Sequence, residues 1–124
     1  MKDANRLPDS ELEIMQLVWR LPLPVSRGDI ERAMGEEKRL APTTILTLLT
    51  RLCDRGFLRQ EKAGRGNVYT PLVSQREYLA NESRGMLNRL FGGSVASFAA
   101  SLCDSGVSRE EIEELRELLE RGKL

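Results

Sequence analysis

Residues 41–65 read A-P-T-T-I-L-T-L-L-T-R-L-C-D-R-G-F-L-R-Q-E-K-A-G-R and predict a short helix that leads into the first arm of a hairpin. The helix should begin at Pro42, whose fixed φ and missing N–H suit the first helical position. It should end at Arg55, because Gly56 is the residue type preferred just beyond a helix end. Four large apolar residues between these points follow the i, i+3, i+4, i+7 spacing of a buried stripe: Ile45, Leu48, Leu49 and Leu52.

The opposite face of this helix carries hydroxyl groups near its start and guanidinium groups further along. Its members are Thr43, Thr44, Thr47 and Arg51, with Thr50, Asp54 and Arg55 at the margins. Threonine can contact phosphates, base edges and thymine methyls, and arginine is the commonest bidentate partner of guanine. A merely solvated face is the alternative, but it would favour Glu, Lys or Gln over threonine, a mediocre helix former. The pattern therefore predicts a helix that reads DNA.

Beyond Gly56 the period changes to that of a strand. F-L-R-Q-E-K and N-V-Y-T-P-L-V predict two arms joined by A-G-R-G, whose two glycines permit the positive φ values of a tight turn. Arg65 lies at the predicted tip and, with Lys62, is a candidate contact to the DNA backbone. The alternative for Arg65 is a solvated loop arginine.

Another helix is predicted over about residues 10–21, with either Asp9 or Ser10 as its cap. Ser10 would form a capping box with Glu13. Prolines make residues 22–25 an extended connection, with a short strand expected at 23–25.

A second short helix should start at Ser26, which can form a capping box with Asp29, and end near Gly35. Together with the helix at Pro42 it predicts a helix-turn-helix with a slightly long turn. Three helices followed by a hairpin predict a winged helix-turn-helix domain over residues 1–73.

Residues 74–124 predict three more helices, separated by Gly92-Gly93 and by D-S-G, with Ser94 and Ser108 as caps. They carry more apolar surface than so small a unit can bury alone, which favours pairing with a second copy. The residues expected to form this dimerisation surface are Tyr78, Leu87, Leu90, Phe91, Phe98, Leu102, Ile112, Leu115, Leu118 and Leu119. The fold class is therefore mainly α with a small β-hairpin, a winged helix-turn-helix domain followed by a three-helix dimerisation domain.

Composition excludes most catalytic classes. The chain has no histidine among its 124 residues, which removes the usual general base and the usual zinc ligand. Cys53 and Cys103 show no C-x-x-C or C-x-C spacing, so no metal site or cofactor is predicted, and both are interpreted as small buried residues. The N-terminus lacks a signal peptide pattern and no apolar run could span a bilayer, so we expect a cytoplasmic protein without membrane insertion.

Charge is balanced overall but concentrated locally. The chain has 19 basic and 19 acidic residues, whereas the window from Lys38 to Arg65 has seven basic residues against two acidic ones, a net charge of +5. Because counterion release depends on the charge that meets phosphate, a basic helix and hairpin on a neutral protein can bind DNA.

Three motifs read in sequence resemble the penicillinase-repressor family of the BlaI/MecI type: T-T-I-L-T-L-L-T-R-L-C-D-R-G-F-L, G-R-G-N-V-Y-T-P-L-V-S and S-R-E-E-I-E-E-L-R-E-L-L. The similarity also takes in L-P-D-S-E-L-E-I-M-Q-L-V-W, so it covers nearly the whole chain. The resemblance implies a homodimeric bacterial transcriptional repressor that binds double-stranded operator DNA, with Thr43, Thr44, Thr47 and Arg51 facing the groove. It also implies induction by a membrane-bound sensor protease, with cleavage near Ser101-Leu102.

Two functional hypotheses follow. The first is a dimeric repressor that recognises an inverted-repeat operator through the helix at residues 42–55 and a basic wing. The second is a winged helix that serves only as a protein-interaction scaffold, without sequence-specific DNA binding. A salt-sensitive shift of DNA fragments in a gel would favour the first.

Overall fold

The structure is a computed structural model that describes residues 6–122. Its helices and strands follow in the order α1 (Asp9–Arg20), β1 (Val25–Ser26), α2 (Arg27–Ala33), α3 (Pro42–Asp54), β2 (Leu58–Ala63), β3 (Gly66–Pro71), α4 (Gln75–Phe91), α5 (Val95–Asp104) and α6 (Arg109–Arg121). A 3₁₀ turn over Glu36–Lys38 lies between α2 and α3. The predicted mainly helical fold with a small β element is confirmed.

The sheet has three strands rather than the two of the predicted hairpin. The strand order is β1-β3-β2, antiparallel throughout, and Val25 of β1 lies opposite Tyr69 of β3. The prediction of a strand at residues 23–25 is wrong in its bounds. Pro24 has no N–H to donate to a ladder and Leu23 is exposed, so pairing starts only at Val25.

The core of the N-terminal part is built from one face of each of the first three helices and the inner face of the sheet. On α1 this face consists of Glu11, Ile14, Met15 and Val18, which follow helical spacing. Tyr78 of α4 closes the core, because its ring packs 5.7 Å from those of Trp19 and Phe57 and its hydroxyl accepts a 3.0 Å hydrogen bond from the N–H of Leu7.

Helix caps follow the sequence in most places. The predicted capping box of α2 is confirmed, since Ser26 and Asp29 exchange two 3.0 Å hydrogen bonds. The backbone N–H of Ser26 holds the pKa of the Asp29 carboxyl below its ordinary value. The predicted cap of α1 is wrong. Pro8 is its N-cap residue and accepts from the N–H of Leu12, so Asp9 and Ser10 already lie inside the helix.

The caps of the C-terminal helices are confirmed. Ser94 accepts a hydrogen bond from the N–H of Ser97, and Ser108 forms a capping box with Glu111. Between α4 and α5 the chain turns at Gly92 and Gly93, both at positive φ.

The chain forms two compact units, which divide between Glu82 and Ser83. The predicted division into a DNA-binding domain over residues 1–73 and a dimerisation domain over residues 74–124 stays a prediction. In the part of the chain that the structure describes, none of the helices has the length and apolar character needed to cross a membrane.

Candidate nucleic-acid interface

Helix α3 starts at a proline, ends in a hydrogen-bonded motif and buries one side. Pro42 occupies its first turn, as predicted, and Ala41 before it provides no side-chain cap. At its end Gly56 adopts a φ of 84° and donates to the carbonyl of Cys53, while Phe57 donates to that of Leu52. This pair of bonds is a Schellman motif. The predicted apolar stripe is completely buried: Ile45, Leu48, Leu49 and Leu52.

The opposite face of α3 is open to solvent along its whole length. The exposed side chains are Thr43, Thr44, Leu46, Thr47, Thr50, Arg51 and Asp54. Thr47 donates a 3.0 Å hydrogen bond from its hydroxyl to the carbonyl of Thr43, one turn earlier. Its side chain therefore offers an acceptor lone pair and a methyl group to any ligand, while the other threonine hydroxyls and Arg51 supply the donors.

The hairpin of β2 and β3 forms the wing. Its register pairs Lys62 with Asn67 and Ala63 with Gly66, which leaves the two-residue loop Gly64-Arg65. Of the two glycines that permit a positive φ here, Gly64 has one, at 61°, as in a II′ turn, and Gly66 already lies in β3. The turn leaves Arg65 exposed at the tip, as predicted, and Lys62 exposed on the arm beside it.

Ion pairs divide the basic residues around α3 into two groups. Arg39 lies 4.0 Å from Glu36, Arg59 lies 3.7 Å from Glu61, and Arg55 is paired with Glu11. In contrast, no ion pair in residues 6–122 involves Lys38, Arg51, Lys62 or Arg65, and all four are exposed. These four side chains are the positive charges most available to a phosphate backbone.

Arg55 differs from the other basic residues, because it interacts with a buried carboxylate. Its Nε lies 2.8 Å from Oε1 of Glu11, whose side chain is 2% exposed. The two atoms form an ion pair, but their angles do not meet the geometry of a hydrogen bond. Within the described residues, Oε1 of Glu11 therefore accepts no hydrogen bond. The pair joins α1 to the end of α3. Its contribution to the position of α3 was not predicted from the sequence, although Glu11 falls on the same helical stripe as Ile14 and Val18.

The predicted dimerisation residues fall into three groups by their exposure. Leu90, Leu115, Leu118 and Leu119 are exposed, and Phe91, Phe98, Leu102 and Ile112 are half-buried. The rings of Phe91 and Phe98 pack 5.5 Å apart. Residues of α5 and α6 also line an apolar groove of about 460 Å³ that includes Leu102, Ile112, Leu115 and Leu119. Leu87 and Tyr78 are buried instead, and Tyr78 belongs to the core of the N-terminal unit.

The two cysteines differ in environment. Cys53 is half-buried against the core, and its burial raises the pKa of its thiol. The prediction that Cys103 is buried is wrong. Its side chain is exposed, because it lies at the apolar groove of α5 and α6, which one copy leaves open to solvent.

Comparison with known proteins identifies relatives along nearly the whole chain. A family model described as "Penicillinase repressor" matches residues 7–121. The penicillinase repressor of Bacillus licheniformis is 32% identical over an alignment of 124 positions that covers 99% of this chain and 96% of that protein. The methicillin resistance regulatory protein MecI of Staphylococcus aureus is 28% identical over 116 residues, 93% of this chain and 94% of that protein. The solution structure of the DNA-binding domain of the repressor BlaI has a TM-score of 0.52 and 32% identity, and the match covers 63% of this chain and 94% of that domain. This likeness confirms the winged-helix fold.

Proposed function

This chain belongs to the penicillinase repressor family, and from that premise we propose that it is a homodimeric, sequence-specific repressor that binds an inverted-repeat operator. The observation that carries the proposal is the outward face of α3. It combines threonines and Arg51, none of them used in the core, and α3 is immediately followed by the basic wing. A helix of this composition fits the major groove, while the wing adds contacts to phosphate.

Residues of α3 and residues of the wing have different roles in the proposed complex. Thr43, Thr44, Thr47 and Arg51 read base edges, because they lie on the face that would enter the groove. Lys62 and Arg65 contact phosphates and give affinity without sequence choice. The predicted DNA contact of Arg55 stays a prediction. Its ion pair with Glu11 supports a structural role for the same side chain.

Dimerisation follows from the apolar side chains that one copy leaves uncovered in the C-terminal unit. Three leucines of α6 remain exposed in the single chain: Leu115, Leu118 and Leu119. A two-fold dimer would bury them and present two α3 helices, so that the protein reads two half-sites of opposite orientation.

Release of the operator would follow cleavage by a membrane-bound sensor protease, as the family resemblance implies. The corresponding bond, Ser101-Leu102, lies inside α5. Ser101 is exposed and Leu102 is half-buried, so cleavage would require local unwinding of this helix. A cut there would separate α6, with its three exposed leucines, from the rest of the chain.

Replacing Arg51 with alanine should cost about 1–3 kcal/mol of binding in each half-site and relax the base preference at one position of each half-site. The variant loses a bidentate contact to guanine. The base preference at the other operator positions should stay unchanged. The measurement is a competition gel shift with operator variants changed one base pair at a time. An unchanged preference at every position would contradict the assignment of Arg51.

Replacing Arg65 with alanine should weaken binding to all duplexes alike and lower the slope of log K against log salt by about 2 for a dimer. Titrations at two or more salt concentrations measure this slope. The matched control is Arg20→Ala, which removes an exposed arginine outside α3 and the wing and should leave the slope unchanged. If the parent protein shifts no DNA fragment in a salt-sensitive way, the interaction-scaffold hypothesis replaces the repressor.

A further inference from the structure

Leu46 is the single large apolar side chain of α3 that stays exposed in the described structure. Its exposed fraction is 42%, whereas the other leucines and the isoleucine of α3 are at most 4% exposed. Leu46 belongs neither to the core of the N-terminal unit nor to the partly buried residues that pack against it. Folding of this unit therefore does not explain a leucine at this position.

The neighbours of Leu46 place it on the face that would enter the groove. Thr43 lies one turn before it, Thr50 one turn after it, and Thr47 beside it, and all are exposed. Leu46 also falls within the first two turns of α3, and the N-terminal residues of a recognition helix contact base edges.

An exposed leucine alone indicates nothing, but in the major groove a leucine would cover polar base atoms without giving them a hydrogen bond, unless it meets an apolar group. The C5-methyl of thymine is the one methyl group that the base pairs present in the major groove.

We propose that Leu46 determines specificity by packing against the C5-methyl of a thymine in each half-site. The inference rests on the proposed function, since it requires that α3 enters the major groove. It adds a second kind of readout to that of Arg51: an apolar contact that selects thymine, alongside hydrogen bonds that select guanine.

Deoxyuridine provides a test, because dU pairs like dT and lacks only the methyl group. The parent protein is first used to select a binding site from a pool of random duplexes. Each dT of the selected duplex is then replaced by dU, in both half-sites at once. At one symmetric position the affinity should fall about 15-fold, which corresponds to about fourfold for each buried methyl group. Elsewhere the affinity should fall less, because these methyls do not pack against Leu46.

Leu46→Ala should bind the dT and dU duplexes equally at that position, because the side chain that distinguishes them is gone. Leu23→Ala is the matched control: Leu23 is also exposed, lies outside α3, and its loss should leave the dU penalty intact. A parent protein indifferent to every dU replacement would overturn the inference, as would a penalty that persists in Leu46→Ala. Failure to select any duplex would instead reject the proposed function.

Discussion

Replacing Arg55 with methionine should lower the free energy of unfolding by about 3 kcal/mol. The substitution leaves the carboxylate of Glu11, 2% exposed, without its cation. Breaking a buried ion pair from one side costs about 3–5 kcal/mol, and because Arg55 itself is 37% exposed we expect the lower end of that range. Urea unfolding followed by the fluorescence of Trp19, the one tryptophan of the chain, measures the loss.

The double variant Glu11→Met, Arg55→Met is the matched control. It replaces the whole pair by apolar side chains of similar length, which is often neutral for stability. We expect it to unfold within about 1 kcal/mol of the parent, so that the double-mutant cycle shows strong coupling between the two positions. Equal losses in Arg55→Met and in the double variant would show that the carboxylate is not what makes Arg55 necessary.

The double variant also distinguishes a structural role of Arg55 from a direct contact to phosphate. If Arg55 only positions α3, the double variant should bind operator DNA like the parent. If Arg55 contacts phosphate as well, the double variant should be stable and yet bind more weakly, with a flatter salt dependence.

Local features of the fold were predictable because their physical causes lie within a few residues. Pro42 and Gly56 set the ends of α3 through their own backbone preferences, and the structure ends the helix at Asp54, one residue before the predicted end. The capping boxes at Ser26 and Ser108 are likewise fixed by a residue and its third neighbour.

What the sequence did not reveal depends on contacts between distant residues. The pairing of Val25 with Tyr69 joins segments separated by the whole helix-turn-helix, and two residues of strand are too short to show a period. Glu11 lies on the buried stripe of α1, which makes its burial readable from helical spacing. Its partner, in contrast, lies beyond α3 and could not be identified without the packing of α1 against α3.

The predicted site follows the same division. Which residues of α3 face outward follows from its period, so all four predicted base-reading residues lie on one exposed face. The exposed leucine among them was not singled out, because the apolar stripe on the other side already explained the hydrophobic content of the helix. Likewise, the sequence shows a positive window but not which of its charges are paired internally, and Arg55 is the residue for which this matters most.

Replacing Leu119 with glutamate should produce the largest loss of function, because it would separate the proposed dimer. Leu119 is 52% exposed in the single chain and lines the apolar groove of α5 and α6, so the fold of one copy should tolerate a charge there. In a dimer the same charge would be buried without a partner. Sedimentation of the variant should therefore show a monomer at concentrations at which the parent is a dimer.

The effect on DNA follows from the link between two half-sites. When one protomer is bound, the second contact is intramolecular, and loss of that link should reduce affinity for the full operator about 10²–10⁴-fold. Affinity for an isolated half-site should stay like that of the parent, which distinguishes dissociation from unfolding. The matched control is Leu23→Glu, the same change at a leucine that is also 52% exposed but lies in the N-terminal unit, and it should remain dimeric. A Leu119→Glu protein that still sediments as a dimer would place the interface away from this groove, since a buried, unpaired carboxylate costs more than one leucine contact contributes.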